Sequence, residues 1–144
     1  MRRLSVSLKR QVALSASRVT IGKDKLVYVL VCDKKIKYSE GKSRVAYIGT
    51  TEKGIARIAL SVAHRAEDIL SIHGVRDFDA RIITCRPRQK VKTWHKLERA
   101  LLLTFKDMYG EVPYCNSHGK KMKEVDEFRY FRKGRLENIL EDLA

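Results

Sequence analysis

A carboxylate at the margin of an apolar helical stripe, a run of basic residues on one helical face, and two tyrosines on consecutive strands are the groups in this chain with chemistry to offer. Glu98 has Trp94, Leu101 and Leu102 as its helical neighbours three and four positions away, so its charge lies at the edge of a hydrophobic face. A carboxylate so placed is either a surface Glu snorkelling outward, a metal ligand, or the partner of a buried Arg. His95, three residues before it, has a spacing that could chelate a metal, though such pairs are more often accidental. Arg57, Ser61, His64 and Arg65 share the polar side of one helical segment, and the plainer account of that run is a solvated face. Tyr28 and Tyr47 fall on neighbouring strands, where cross-strand packing is the commoner role.

The elements that must hold these groups follow from apolar spacing. Leu26 to Cys32 is rich in β-branched and aromatic residues and has the length of a buried strand. Ser39 to Ser43 reads as a turn and Arg44 to Gly49 as a returning strand, which makes a hairpin with a long basic tip that includes Tyr38. After a cap at Thr50 or Thr51, Ile55, Ile58, Ala59, Val62, Ala66, Ile69 and Leu70 recur at helical spacing until Gly74. Phe78 to Cys85 predicts a third strand bounded by Pro87, and Thr93 caps a second long helix through Met108, stopped by Gly110 and Pro113. Leu136, Ile139, Leu140 and Leu143 predict a last helix, set off by Gly134 from the aromatic-basic stretch Phe128 to Arg132. Leu4, Leu8 and Val12 suggest a short N-terminal helix. The order is β-β-α-β-α with a C-terminal helix, an α+β class in a single domain.

Charge narrows the function classes. With 31 Lys and Arg against 17 Asp and Glu, the 144-residue chain carries a formal +14, an excess that calls for a polyanionic partner, nucleic acid before an anionic membrane surface. Membrane-surface binding fits poorly, because no helix pairs a basic face with exposed bulky apolar residues. The longest apolar run is far shorter than the ~20 residues a bilayer demands, and the N-terminus lacks the pattern of a secretory signal, so the expected compartment is cytoplasmic. Cys32, Cys85 and Cys115 are odd in number and far apart, which argues for buried thiols rather than disulfides or a zinc ribbon.

Taken in order, Val27-Tyr28-Val29, Tyr47-Ile48-Gly49, Arg57, Glu98 within Leu97-Glu98-Arg99-Ala100-Leu101-Leu102, and Pro113-Tyr114-Cys115-Asn116 resemble the GIY-YIG nuclease domain. The resemblance covers about residues 26–116, leaving an N-terminal extension (1–22) and a C-terminal one (120–144). It implies a small three-stranded antiparallel sheet flanked by helices and a metal-dependent endonuclease acting on DNA. In that scheme Glu98 anchors one Mg²⁺ (or Mn²⁺), Arg57 contacts the phosphate, Tyr28 takes the proton from the attacking water, Tyr47 positions water or phosphate, and Asn116 buttresses the site. The scheme further expects either that the metal and the nearby cations depress the Tyr28 pKa or that a hydrogen-bond chain relays its proton. Lys42 and Arg44 at the hairpin, with Arg86, Arg88 and Lys90 after the third strand, would track the nucleic-acid backbone. The chain departs from the family at three points. The first motif reads Val-Tyr-Val, nineteen positions separate Tyr28 from Tyr47, and Ser61 stands where many members place His or Tyr, with His64 a further turn along as its substitute. These departures leave open a nucleic-acid-binding module that has lost cleavage. The absence of a separate DNA-reading domain points to loops, a homodimer or a partner subunit for specificity.

Overall fold

The computed structural model describes residues 2–13, 15, 24–116 and 128–144. Its elements are β1 (Leu26–Tyr38), β2 (Gly41–Thr51), α1 (Ile55–Leu70), β3 (Phe78–Ile83), α2 (Thr93–Tyr109) and α3 (Lys133–Leu143). The sheet is three-stranded in the order β2-β1-β3, with both pairings antiparallel. The α+β class and the flanked antiparallel sheet expected from the sequence are what the chain adopts.

β1 is the central strand, and residues 26–32 are buried without interruption, as a strand covered on both faces must be. Alternation then sorts its side chains. Tyr28 points to the face covered by α1, where it meets Ser61, while Val27 and Val29 point to the other face. α2 covers that second face: its Trp94 stands under Lys25, and its Phe105 packs edge-on against Tyr38 at 5.0 Å. Those two contacts also show that α2 runs alongside β1 in the same direction. α3 packs on α2 and on β2.

The hairpin differs from expectation in an instructive way. The strands run on to a two-residue turn at Ser39 and Glu40, so there is no long basic tip. Residues 33–35 are exposed because the register shifts between Val31 and Ile36, which breaks the alternation that would have revealed a continuing strand. Tyr38 is accordingly 4% exposed rather than solvated. Its hydroxyl donates to the Val45 carbonyl at 2.6 Å and accepts from the Tyr114 N–H at 3.1 Å. The turn is fastened to the end of α2, where Glu40 N–H donates to the Tyr109 carbonyl at 3.0 Å. Gly110 makes this possible: it ends α2 in the left-handed conformation at φ 82°, and a Cβ there would strike the Ser39 hydroxyl.

Other boundaries shift as well. Thr50 and Thr51 belong to β2, and Gly54 takes the α1 cap position with its N–H bonded to the Asp24 carbonyl at 2.9 Å. Thr93 opens α2 behind a Lys92 cap, and Gly134 lies inside the first turn of α3. The N-terminal helix does not form: residues 2–13 are exposed and non-helical, consistent with a short segment that has no apolar face to pack against. All three cysteines are free, Cys32 buried and the other two half-buried.

Candidate active site

Register explains why two tyrosines nineteen positions apart meet. Tyr28 pairs with Gly49 and Leu30 pairs with Tyr47, so the two rings are diagonal neighbours on the α1 face, with centroids 5.9 Å apart. Gly49 lies directly beneath them. A Cβ built there would come within 2.6 Å of the Tyr47 ring and 2.8 Å of the Tyr28 hydroxyl, so the close approach of the pair depends on a residue with no side chain.

α1 closes the cluster from above. The Tyr28 hydroxyl donates to Ser61 Oγ at 2.6 Å. The Arg65 guanidinium lies 4.0 Å from the Tyr47 ring centroid and donates from Nη1 to the Cys115 carbonyl at 3.0 Å. Arg65 Nε is buried with no hydrogen-bond partner among the described residues, a costly arrangement that packing alone does not explain. Asn116 secures the far side, accepting from Ile48 N–H at 3.0 Å and donating to the Ile48 carbonyl at 2.9 Å, while Cys115 N–H donates to Ala46. The segment after Pro113 thus pairs with the free edge of β2.

Helical geometry separates residues that the sequence groups together. Each step of four residues turns about 40° around a helix axis, so from Arg57 through Ser61 to Arg65 the side chains rotate toward the sheet. Arg57 is exposed, Ser61 half-buried, and Arg65 brought onto the tyrosines. His64, seven residues after Arg57, falls back to the solvent side and does not enter the cluster. Arg65 is therefore the functional candidate that the sequence ranking passed over; its spacing of two helical steps from Arg57 is the feature that would have pointed to it.

Glu98 is 5% exposed, which excludes the snorkelling surface Glu. It sits on α2, about 6 Å along the helix from Trp94, while Tyr28 is about 10 Å along β1 from Lys25. The carboxylate thus comes roughly level with the tyrosine pair but belongs to the helix on the other face of the sheet. His95 turns toward Glu52, with Nε2 to Oε1 at 3.4 Å. Among the described residues no three His, Cys, Asp or Glu side chains gather into a metal site.

Burial is the largest influence on Tyr28 and pushes its pKa up to about 12 from 10.0; the Ser61 hydrogen bond and Arg65 oppose this, and Tyr47 adds to it. Without a bound cation, the phenol stays protonated throughout the neutral range.

The five basic residues do not form one track. Arg86, Arg88 and Lys90 are exposed on the loop between β3 and α2, beside Lys25 and Trp94, at the end of the sheet where β1 begins. Lys42 pairs with Lys37 at the other end, on the order of 30 Å away by strand rise. Arg44 turns to the α3 side, its Nε donating to the Ala144 carbonyl at 3.2 Å. Phe128 and Phe131 pack on the core, and Tyr130 lies under Arg88, so that aromatic stretch chiefly covers the fold.

Among the described residues, no helix is long and apolar enough to cross a membrane. No protein-family model, curated protein or solved structure matches the chain.

Proposed function

We propose that the chain is an endonuclease of the GIY-YIG type, hydrolysing phosphodiester bonds in DNA at the cluster of Tyr28, Tyr47, Ser61 and Arg65. The observation that supports this most is the 2.6 Å bond from Tyr28 to Ser61, which joins β1 to α1 at a polar point beside the Tyr47 ring of β2.

Tyr28 does not work as a standing phenolate in this reading. It accepts the proton of the attacking water as its own moves to Ser61 and on to solvent, a relay that the short hydrogen bond already prepares. Arg65 holds Tyr47 against Tyr28, and exposed Arg57, about two turns earlier on α1, meets the phosphate as it arrives. Glu98 is the buried carboxylate of the described residues. It lies on α2, across the sheet from the tyrosine cluster, so only the resemblance assigns it a Mg²⁺ or Mn²⁺ ion, and no group of three His, Cys, Asp or Glu side chains gathers around it among the described residues. When bound, such an ion would neutralise charge gathering on the phosphorane-like transition state.

A second reading, a DNA-binding module without cleavage, is favoured by the raised Tyr28 pKa and by Ser61 itself. Incubation with supercoiled plasmid, with Mg²⁺ and with chelator, separates the two. Nicking that needs the cation supports the nuclease; a gel shift with intact plasmid supports the binding module; neither outcome would remove both.

A further inference from the structure

We propose that the chain binds an unpaired nucleic-acid strand in a groove separate from the tyrosine cluster, running from Trp94 to Tyr130 and built from α2, α3 and the loop before α2. The site goes beyond cleavage, since it concerns how bases are held and not how a bond is cut.

Two hollows make up the groove. The first, of about 730 Å³, gathers Lys25, Arg88, Lys90 and Lys92 around Trp94, with Asp24 as its acidic side chain. The second, of about 670 Å³, sets Tyr130 and Phe131 beside Arg132 and Arg135 over an apolar floor that includes Leu136. Its acid is Asp142, and its Arg81 is already paired with Asp79 at 2.8 Å. The hollows meet at Cys85, which lines both, and at Arg88, whose guanidinium lies 5.5 Å from the Tyr130 ring centroid. Each volume falls within the ~300–1,000 Å³ of small-ligand clefts, so each has room for a nucleotide.

Charge alone would suit any polyanion; the rings select unpaired bases. Trp94 and Tyr130 are half-buried, and each has a cation over its ring, Lys25 at 4.6 Å and Arg88 at 5.5 Å. Rings interleaved with cations serve single strands, whose bases stack on the aromatics while their phosphates meet the charges. In a duplex the bases stack on one another. An acidic peptide shares the charge but has no flat faces for the two rings. The indole adds a second reason: Trp94 Nε1 is buried with no hydrogen-bond partner among the described residues, a costly state for a donor. A base that displaces the flexible Lys25 side chain from the ring brings acceptors to that N–H, and Lys25 then meets the phosphate. Lys90, at φ 63° in the Arg88 to Val91 turn, holds backbone strain of the kind that gathers at ligand clamps.

Fluorescence anisotropy with labelled strands of about 12 nucleotides, in chelator so that nothing is cut, tests this. A normal strand should bind at least about tenfold tighter than an abasic strand of the same length, which carries the same phosphates. Tyr130→Ala should weaken the normal strand at least about fivefold and leave the abasic strand and a blunt duplex within about twofold. Trp94→Phe, which keeps a ring and loses the N–H, should act in the same selective way. Equal affinity of the wild type for the two strands overturns the proposal whatever the variants do. So does a Tyr130→Ala variant that keeps the full preference, or an oligoglutamate that competes as well as the normal strand. Plasmid cleavage is a separate readout: its absence with the base preference intact removes the nuclease reading and leaves this site standing, and the converse removes this site alone.

Discussion

The hydroxyl of Tyr28 donates a 2.6 Å hydrogen bond to Ser61 Oγ, joining the central strand to the first helix across 33 residues of sequence. The bond satisfies the phenol in a setting that otherwise penalises it. Tyr28→Phe should therefore leave the fold intact and slow cleavage by about 10² to 10⁴, the usual contribution of a positioned proton acceptor. Ser61→Ala should slow it comparably, and Ser61→Thr, which restores the hydroxyl, should recover most of the loss. Single-turnover cleavage of a labelled duplex reads all three. Equal rates in Tyr28→Phe and wild type would exclude the relay.

The same burial predicts the pH dependence. The folded-state pKa of Tyr28, near 12, is above the unfolded value of 10.0. Its contribution, on the order of 3 kcal/mol by the size of that shift, is thus fully present below pH 10 and lost as pH rises from 10 toward 12. Tyr38 is raised in the same direction, again chiefly by burial. Denaturant midpoints should be level across the neutral range and fall steeply above pH 10, with a shallower fall in Tyr28→Phe.

Tyr38→Phe looks harmless from the sequence, where the tyrosine sits in a polar tip. In the structure the substitution removes the donor to Val45 and strands the Tyr114 N–H, so a loss of about 1–3 kcal/mol is expected in urea unfolding. Cleavage per folded molecule should not change, because Tyr38 packs with Phe105 and Tyr109 on the α2 face, away from Tyr28.

That contrast shows where sequence reasoning carries and where it stops. The cores of β1, α1 and α2 were legible because Leu26 to Cys32, Ile58 to Ile69 and Leu97 to Phe105 carry the apolar spacing of their elements, and burial enforces that spacing. Tyr38 was not, because the register shift before Ile36 lets three exposed residues interrupt a strand that continues. Ser61 and Arg57 were visible as members of one polar face. Which of that face's residues reaches the tyrosines depends on helix rotation against a sheet 33 residues away in sequence, and this selects Arg65 over Arg57 and His64. The desolvation of Tyr28 was not legible: the neighbouring cations are evident in the sequence, whereas burial, the larger effect without a bound cation, exists only once α1 closes over the sheet.

Gly49→Ala tests the geometry of the pair without removing a polar group. The new methyl must displace two ring ends rather than backbone, so the stability cost should be modest, about 1–3 kcal/mol, while the tyrosine spacing changes outright. Cleavage should fall at least about tenfold with DNA affinity retained. A variant that cleaves at the wild-type rate would mean that the tyrosine spacing is not used.

If Glu98 holds the cation, as the resemblance implies, Glu98→Gln should abolish cleavage while leaving DNA binding within about twofold, since the carboxylate is buried away from the surface. Isothermal titration with Mn²⁺ in the presence of a non-cleavable duplex should show cation uptake by wild type and not by the variant. Uptake equal in both would place the cation elsewhere.

The last prediction concerns the two ends of the sheet. Arg86, Arg88 and Lys90 lie at the end nearer Tyr28, and Lys42 at the other, so one bound backbone segment cannot engage both as a single track. Replacing Arg86, Arg88 and Lys90 together should weaken DNA binding and flatten its salt dependence, each lost phosphate contact lowering the logarithmic slope by about 0.9. Lys42→Ala should leave both within about twofold. Lys90 offers a cleaner single change, because it stands at φ 63° in the Arg88 to Val91 turn, the position where such turns favour glycine. Lys90→Gly removes the charge while relieving the backbone, so affinity should fall as thermal stability holds or rises. A salt titration by fluorescence anisotropy, alongside a melting curve, reads both quantities; an unchanged slope in the triple variant, with a changed slope in Lys42→Ala, would move the interface to the hairpin end.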